Sequence, residues 1–156
     1  MKIKRLVASS VAVVTAVAGL SLVTTSPAAA ATGVWRALGN KNPFDFSDSR
    51  WLCAVSQPVT ANGDVLAQVC VVRGWPDENY VQGAVIVRNN RPSLYGASAN
   101  VDLSNVLGFL DRWTCPSSGV AKNTWSVCFG KTIYTSNSLT ARGDANGVSL
   151  GVTRPF

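Results

Sequence analysis

An all-β domain, a small sandwich or barrel stapled by two disulfides and holding at most one short helix, is the fold this chain of 156 residues predicts. Three observations carry that expectation. Short runs rich in Val, Thr, Tyr and Trp recur along the chain, with turn-forming letters between them. Four Cys fall in two close pairs, each framing a turn. An export-type leader at the N-terminus places those thiols in a compartment where disulfides form and persist.

The leader covers residues 1–30. Lys2, Lys4 and Arg5 supply its cationic start, 6–23 is an apolar stretch, and Ser26-Pro27-Ala28-Ala29-Ala30-Ala31 offers small residues to a signal peptidase, with cleavage expected after Ala30. The apolar stretch approaches the ~20 residues that span a bilayer. Its Ala, Ser and Thr content and the adjoining small-residue site favour cleavage over a membrane anchor. No Cys stands at the cleavage point to carry a lipid, so the mature chain is expected to be secreted and extracellular, with no membrane anchor. Of the 14 basic residues, three lie in the leader, leaving 11 against eight acidic ones, a net charge near +3. Such a weak balance gives no reason to expect a nucleic-acid partner.

Residues 31–49 form an N-terminal arm ahead of a β domain at 50–156. The arm carries Gly, Asn and Pro and shows no sustained period of either kind, yet it contains Trp35, Leu38, Phe44 and Phe46. A free tail gains nothing by exposing large apolar side chains. Either the arm packs on its own domain, or its aromatics fill pockets on another protein.

Within the domain, strands are expected at 51–59, 65–73, 80–88, 94–103, 124–135 and 148–153, with Asn89-Asn90-Arg91-Pro92 a clear turn. Residues 102–110 show apolar letters at helical spacing behind Asp102 or Ser104 as a cap, which predicts a short helix or an irregular crossing. Cys53 and Cys70 frame Asn62-Gly63-Asp64, and Cys115 and Cys128 frame Ser117-Ser118-Gly119 and Lys122-Asn123. Two hairpin staples, Cys53–Cys70 and Cys115–Cys128, are the expected pairing, each contributing roughly 3 kcal/mol by loop closure. The two regions echo each other: Arg50-Trp51-Leu52-Cys53 by Arg112-Trp113-Thr114-Cys115, and Val69-Cys70-Val71 by Val127-Cys128-Phe129. Residues i and i+2 of a strand share a face, so each Trp is expected in the interior beside its own disulfide.

The sequence holds no His, which excludes His bases, Ser-His or Cys-His pairs and His-ligated zinc. The carboxylates sit where turn and cap residues are common; Asp45 with Asp48 or Asp77 with Glu78 could form a dyad, but no spacing requires it. No Ser-x-x-Lys and no glycine-rich phosphate loop occurs, Asp144-Ala145-Asn146-Gly147 lacks the Glu of a calcium loop, and Arg142-Gly143-Asp144 is a tripeptide that chance often produces. No cofactor or metal is expected. Trp75 and Tyr80 could form a sugar-stacking platform.

The Ala-rich leader ending Ala28-Ala29-Ala30-Ala31, the aromatic arm with Trp35, Phe44 and Phe46, and the four-Cys β body together resemble the small secreted adaptor subunits of the umbrella toxin particles of Streptomyces. The likeness is one of organisation across residues 1–156. In that family the N-terminal extension docks in a lectin subunit and the body attaches to repeats of a large toxin aimed at competing bacteria. The resemblance implies a non-enzymatic, protein-binding adaptor whose partners are a lectin-like subunit and a large toxin protein, with Trp35, Phe44 and Phe46 facing the lectin. Two other functions are open to the same scaffold. One is a protease inhibitor presenting Cys115-Pro116-Ser117-Ser118-Gly119 as a rigid loop; the other is a cell-wall or carbohydrate-binding module using Trp75 and Tyr80.

Overall fold

Alternation of side chains along the central strands decides the architecture. In the computed structural model, which describes residues 30–45 and 48–156, Val65, Ala67, Val69 and Val71 point one way and are buried, while Leu66, Gln68, Cys70 and Val72 point the other way. This run is strand β5 (Val65–Arg73), placed where the sequence predicts it. Ahead of it come β1 (Ala31–Thr32), β2 (Val34–Gly39), a single 3-10 turn (Pro43–Asp45), β3 (Arg50–Cys53) and β4 (Gln57–Pro58). After it come β6 (Tyr80–Asn89), β7 (Tyr95–Asn105), β8 (Gly108–Val120), β9 (Thr124–Phe129), β10 (Ile133–Tyr134), β11 (Leu139–Ala145) and β12 (Val148–Val152). Among the described residues no helix is long and apolar enough to cross a membrane. All of the expected signal segment except Ala30 lies outside the described residues.

The strands form a two-sheet sandwich, as expected. Sheet I has the order β1-β8-β7-β11-β12 and sheet II the order β2-β9-β6-β5-β3, with β4 extending the edge along β5 and β10 pairing the start of β6. Every pairing is antiparallel except β1 on β8. Val69, Val85 and Val71 from sheet II meet Val101, Leu103 and Leu139 from sheet I in one buried core. Gly83 permits the close approach of the layers: a Cβ there would lie 2.7 Å from Val101 Cγ2. Asn146 and Gly147, both at positive φ, close β11–β12 with the two-residue turn favoured by right-twisted hairpins.

Four expectations need correction. Residues 31–39 follow the first of the two courses open to the arm and pack on their own domain, but as strands of it and not as a segment ahead of it: β1 adds to sheet I at Trp113 and Thr114, and β2 pairs with β9 along Val34–Gly39. The edges of both sheets have unpaired amides, and this segment's backbone groups satisfy some of them. Residues 102–110 hold no helix. They are the end of β7, a two-residue turn and the start of β8, with Asn105 facing Gly108. The Asn105 side chain accepts from the Leu107 amide at 2.8 Å and closes the turn, competing with helical pairing.

The third correction concerns the second disulfide. Both bonds form as paired in the sequence reading. Cys53 and Cys70 are register partners on β3 and β5, a staple within sheet II. Cys115 lies on β8 of sheet I and Cys128 on β9 of sheet II, so this bond ties one sheet to the other instead of the arms of a hairpin. The fourth follows from it. Trp113 is fully buried between the sheets, but Trp51 is half-buried on the outer face of sheet II, so only one of the two echoed Trp residues reaches the interior. The echo is one of letters and not of supersecondary structure.

Strands β8 and β11 carry no strand forecast in the sequence. In β8, Pro116 obscures the pattern. It sits at a bulge, where Cys115 and Ser118, three residues apart, face Ala99 and Ala97, two apart. Bulges and edges are where a strand tolerates proline.

Candidate interaction surface

The β7–β8 turn exposes a run of large apolar side chains. Val106 is 89% and Leu107 87% exposed at its apex, with Phe109 and Leu110 exposed on the outgoing strand. Asn105 and Asp111 bracket the run, and no charge interrupts it. Below the tip the hairpin is rigid. Arg112 donates twice to Asp102 across the strands, both at 2.6 Å, and β7 and β8 remain paired to Tyr95 and Val120. Asp102 in turn holds the Arg112 guanidinium more firmly protonated than usual, chiefly by that hydrogen bond.

Exposed aromatic rings gather at the same end of the sandwich. Arg73 connects the ends of the two sheets, donating to the backbone oxygens of Asn137 and Phe156, while Phe156 pairs with Leu139 beside Asn105. Tyr80 and Tyr134 are register partners on β6 and β10, their rings edge-on at 5.2 Å. Trp75 lies 66% exposed in the β5–β6 connection, closed by the Gly74 amide donating to Tyr80 O at 2.8 Å. Glu78, also in this connection, accepts from Arg50 at 2.6 and 2.8 Å. That contact holds the Glu78 carboxyl below the usual carboxylate range, Arg50 being the main cause.

The arm aromatics are not brought together. Trp35 is half-buried against the core and its Nε1 donates to Pro116 O at 2.7 Å. Phe44 lies on the opposite face of sheet II, edge-on to Trp51 at 5.8 Å, with its outer side exposed. Phe46 lies outside the described residues. Residues 115–119, the expected inhibitory loop, belong to the bulged strand β8. Arg142-Gly143-Asp144 lies inside β11, and Asp144 accepts from Asn100.

Two further carboxylates, Asp77 and Asp64, have local structural partners. Asp77 accepts from the Asn79 amide, and Asp64 accepts from Thr60 and Asn62. The Thr60 hydroxyl contributes most to holding Asp64 below the usual range. The hairpin tip and Tyr134 escape sequence reasoning because helical spacing masks the first and an isolated Tyr marks the second. Asn105, Gly108 and Asp111 around the apolar run are the turn letters that point to a hairpin.

No protein-family model, curated protein or solved structure matches the chain. The fold and this surface define a class: a two-disulfide β-sandwich with an apolar, aromatic-flanked end. The disulfides fit an extracellular protein.

Proposed function

We propose that this protein is a secreted, non-enzymatic adaptor or assembly subunit that docks the β7–β8 hairpin into a pocket of another secreted protein. The observation that carries this reading is the run Val106, Leu107, Phe109 and Leu110, held in the open by a rigid hairpin. Each such side chain is worth about 1.5–3 kcal/mol when moved from water to an apolar site. A narrow, convex tip suits a concave receptor, the arrangement in which a few central apolar anchors dominate affinity. The structural partners of Asp64, Asp77, Glu78, Asp102 and Asp144 support a binding role over acid–base catalysis. The lectin-like subunit and large toxin implied by the resemblance are the partners proposed, with the hairpin in place of Trp35 as the docking element.

The test is recovery of the native protein from culture supernatant, cross-linking, and mass spectrometry of its companions. A defined secreted companion is expected with the wild type and should be lost in Val106→Ser/Leu107→Ser/Phe109→Ser/Leu110→Ser at unchanged melting temperature. Recovery of the wild type alone, or a companion that survives the fourfold substitution, overturns the reading. Trp75, Tyr80 and Tyr134 favour a second reading, a glycan-binding module. Pelleting with insoluble cell-wall glycans, lost in Trp75→Ala/Tyr80→Ala/Tyr134→Ala, would then replace the protein companion.

A further inference from the structure

The outer face of sheet II is apolar as well as the inner one. Leu38, Cys70, Val72, Ala84, Ile86 and Val127 form a second buried cluster there, flanked by Trp51, Trp125 and Phe129. Phe44, from the connection between β2 and β3, packs on this face edge-on to Trp51. Beside it lies an open trough of about 550 Å³, within the size range of small-molecule sites. Its apolar surface comes from Val34, Trp51, Val72 and Phe129, and Trp51 and Phe129 meet at 5.9 Å between ring centroids. These residues, with Gln82, belong to all five principal strands of the sheet. The trough therefore runs across the strands for about 19 Å, four strand spacings of ~4.8 Å.

Charge at the trough is one-sided. Arg36 on β2 and Lys131 after β9 line it and are exposed; no carboxylate lines it, and among the described residues neither cation has an ion pair. Gln82 donates its amide to Gly130 O at 3.1 Å. The face of a sheet presents side chains only, its amides and carbonyls being used between strands. An extended peptide laid here would bury its own backbone groups without partners, at a cost of about 1–3 kcal/mol for each. An alkyl or aryl body bears no such cost.

We infer that this trough binds a small amphipathic carboxylate, its apolar body against Trp51, Val72 and Phe129 and its single negative charge between Arg36 and Lys131. The inference is independent of the hairpin docking proposed above.

Calorimetric titration of the purified, oxidised protein with decanoate below its micelle concentration tests it. Saturable 1:1 binding is expected, strengthening about fourfold per added methylene across a chain-length series. Butyrate, which has the charge without the body, and decyltrimethylammonium, which has the body with the opposite charge, are expected to bind at least tenfold more weakly. Arg36→Gln/Lys131→Gln should weaken decanoate at least tenfold without moving the melting temperature, because both side chains are exposed. Val106→Ser/Leu107→Ser/Phe109→Ser/Leu110→Ser should bind decanoate as the wild type does. Absence of saturable binding, full affinity in the double variant, equal affinity for the cationic probe, or loss of binding only in the hairpin variant overturns the inference. The hairpin reading is judged on its companion protein and survives or fails separately.

Discussion

The chain contains two Arg-Trp-x-Cys stations, and they sit in opposite environments. Around Trp51 the disulfide, its two strands and the ring all belong to sheet II, on its outer face, where Phe44 and Phe129 cover the indole only in part. Around Trp113 the disulfide crosses from sheet I to sheet II and the indole is enclosed. A Cβ on Gly130 would lie 2.6 Å from the ring, and one on Gly33 would lie 2.7 Å from Cys115 Sγ. In both stations the indole Nε1 is buried without a hydrogen-bond partner among the described residues, so each ring is retained for its packing area. The difference teaches that the partner strand, and not the local letters, decides whether a Trp two residues before a half-cystine becomes core. β3 pairs with the strand of its own disulfide partner; β8 pairs with β7 and finds Cys128 across the interior.

The sharpest test of this contrast is removal of each ring. Trp113→Ala opens a cavity in the enclosed core and is expected to cost about 5 kcal/mol, enough to abolish cooperative folding in a domain of this size. Trp51→Ala, at a half-exposed site, should cost about 2 kcal/mol. Chemical denaturation of the two variants checks the ratio, and equal losses would erase the distinction between inner and outer stations.

The disulfides provide a narrower contrast. With sequence separations of 17 and 13, loop closure is worth about 3 kcal/mol for either bond. Cys115 and Cys128 are both fully buried, whereas in the other pair Cys70 is fully buried and Cys53 only partly, so Cys115→Ala/Cys128→Ala is expected to carry a cavity cost larger by about 1 kcal/mol than Cys53→Ala/Cys70→Ala. Midpoints of denaturation for the two double variants should differ accordingly, with the outer one the more stable.

The smallest effect expected is electrostatic and sits on the outer side. Arg50, next to Trp51, holds Glu78 below its ordinary range, and Thr60 with Asn62 and Arg91 holds Asp64 below its own. A carboxyl depressed in the folded state contributes stability above its unfolded value, about 4.3 for Glu and 3.9 for Asp, and loses it as pH falls through the folded value. Both side chains are partly exposed and screened by water, so melting temperature should decline only slightly between pH 6 and pH 3 on their account. Glu78→Gln/Asp64→Asn should flatten that part of the profile, and an unchanged slope would remove these contacts from the account of stability.

Much of the strand content is legible in the letters because its cause is local. Residues 65–73 announce their strand, and Asn89-Asn90-Arg91-Pro92 announces the connection between β6 and β7. The candidate surface was less legible. Leu103, Val106, Leu107 and Leu110 mimic a helical stripe, but Leu103 faces the core from a strand while the other three lie at or beside an exposed turn. The helical period there joins residues whose surroundings have nothing in common. Trp35 and Phe44, nine positions apart, look like one aromatic arm, but pairing of β2 with β9 turns Trp35 to the inner face of sheet II while Phe44, past the end of β2, packs on Trp51 at the outer face.

The letters alone were enough for the all-β class, the pairing of the four Cys and such turns as Asn89-Asn90-Arg91-Pro92, because each depends on groups within about twenty residues of one another. Only the tertiary structure decided that residues 31–39 complete both sheets, that Cys115–Cys128 spans the interior, and that the 106–110 run stands in solvent. Those outcomes depend on which distant strand supplies the missing hydrogen bonds and which face the opposing sheet covers, and no local pattern of residues encodes either.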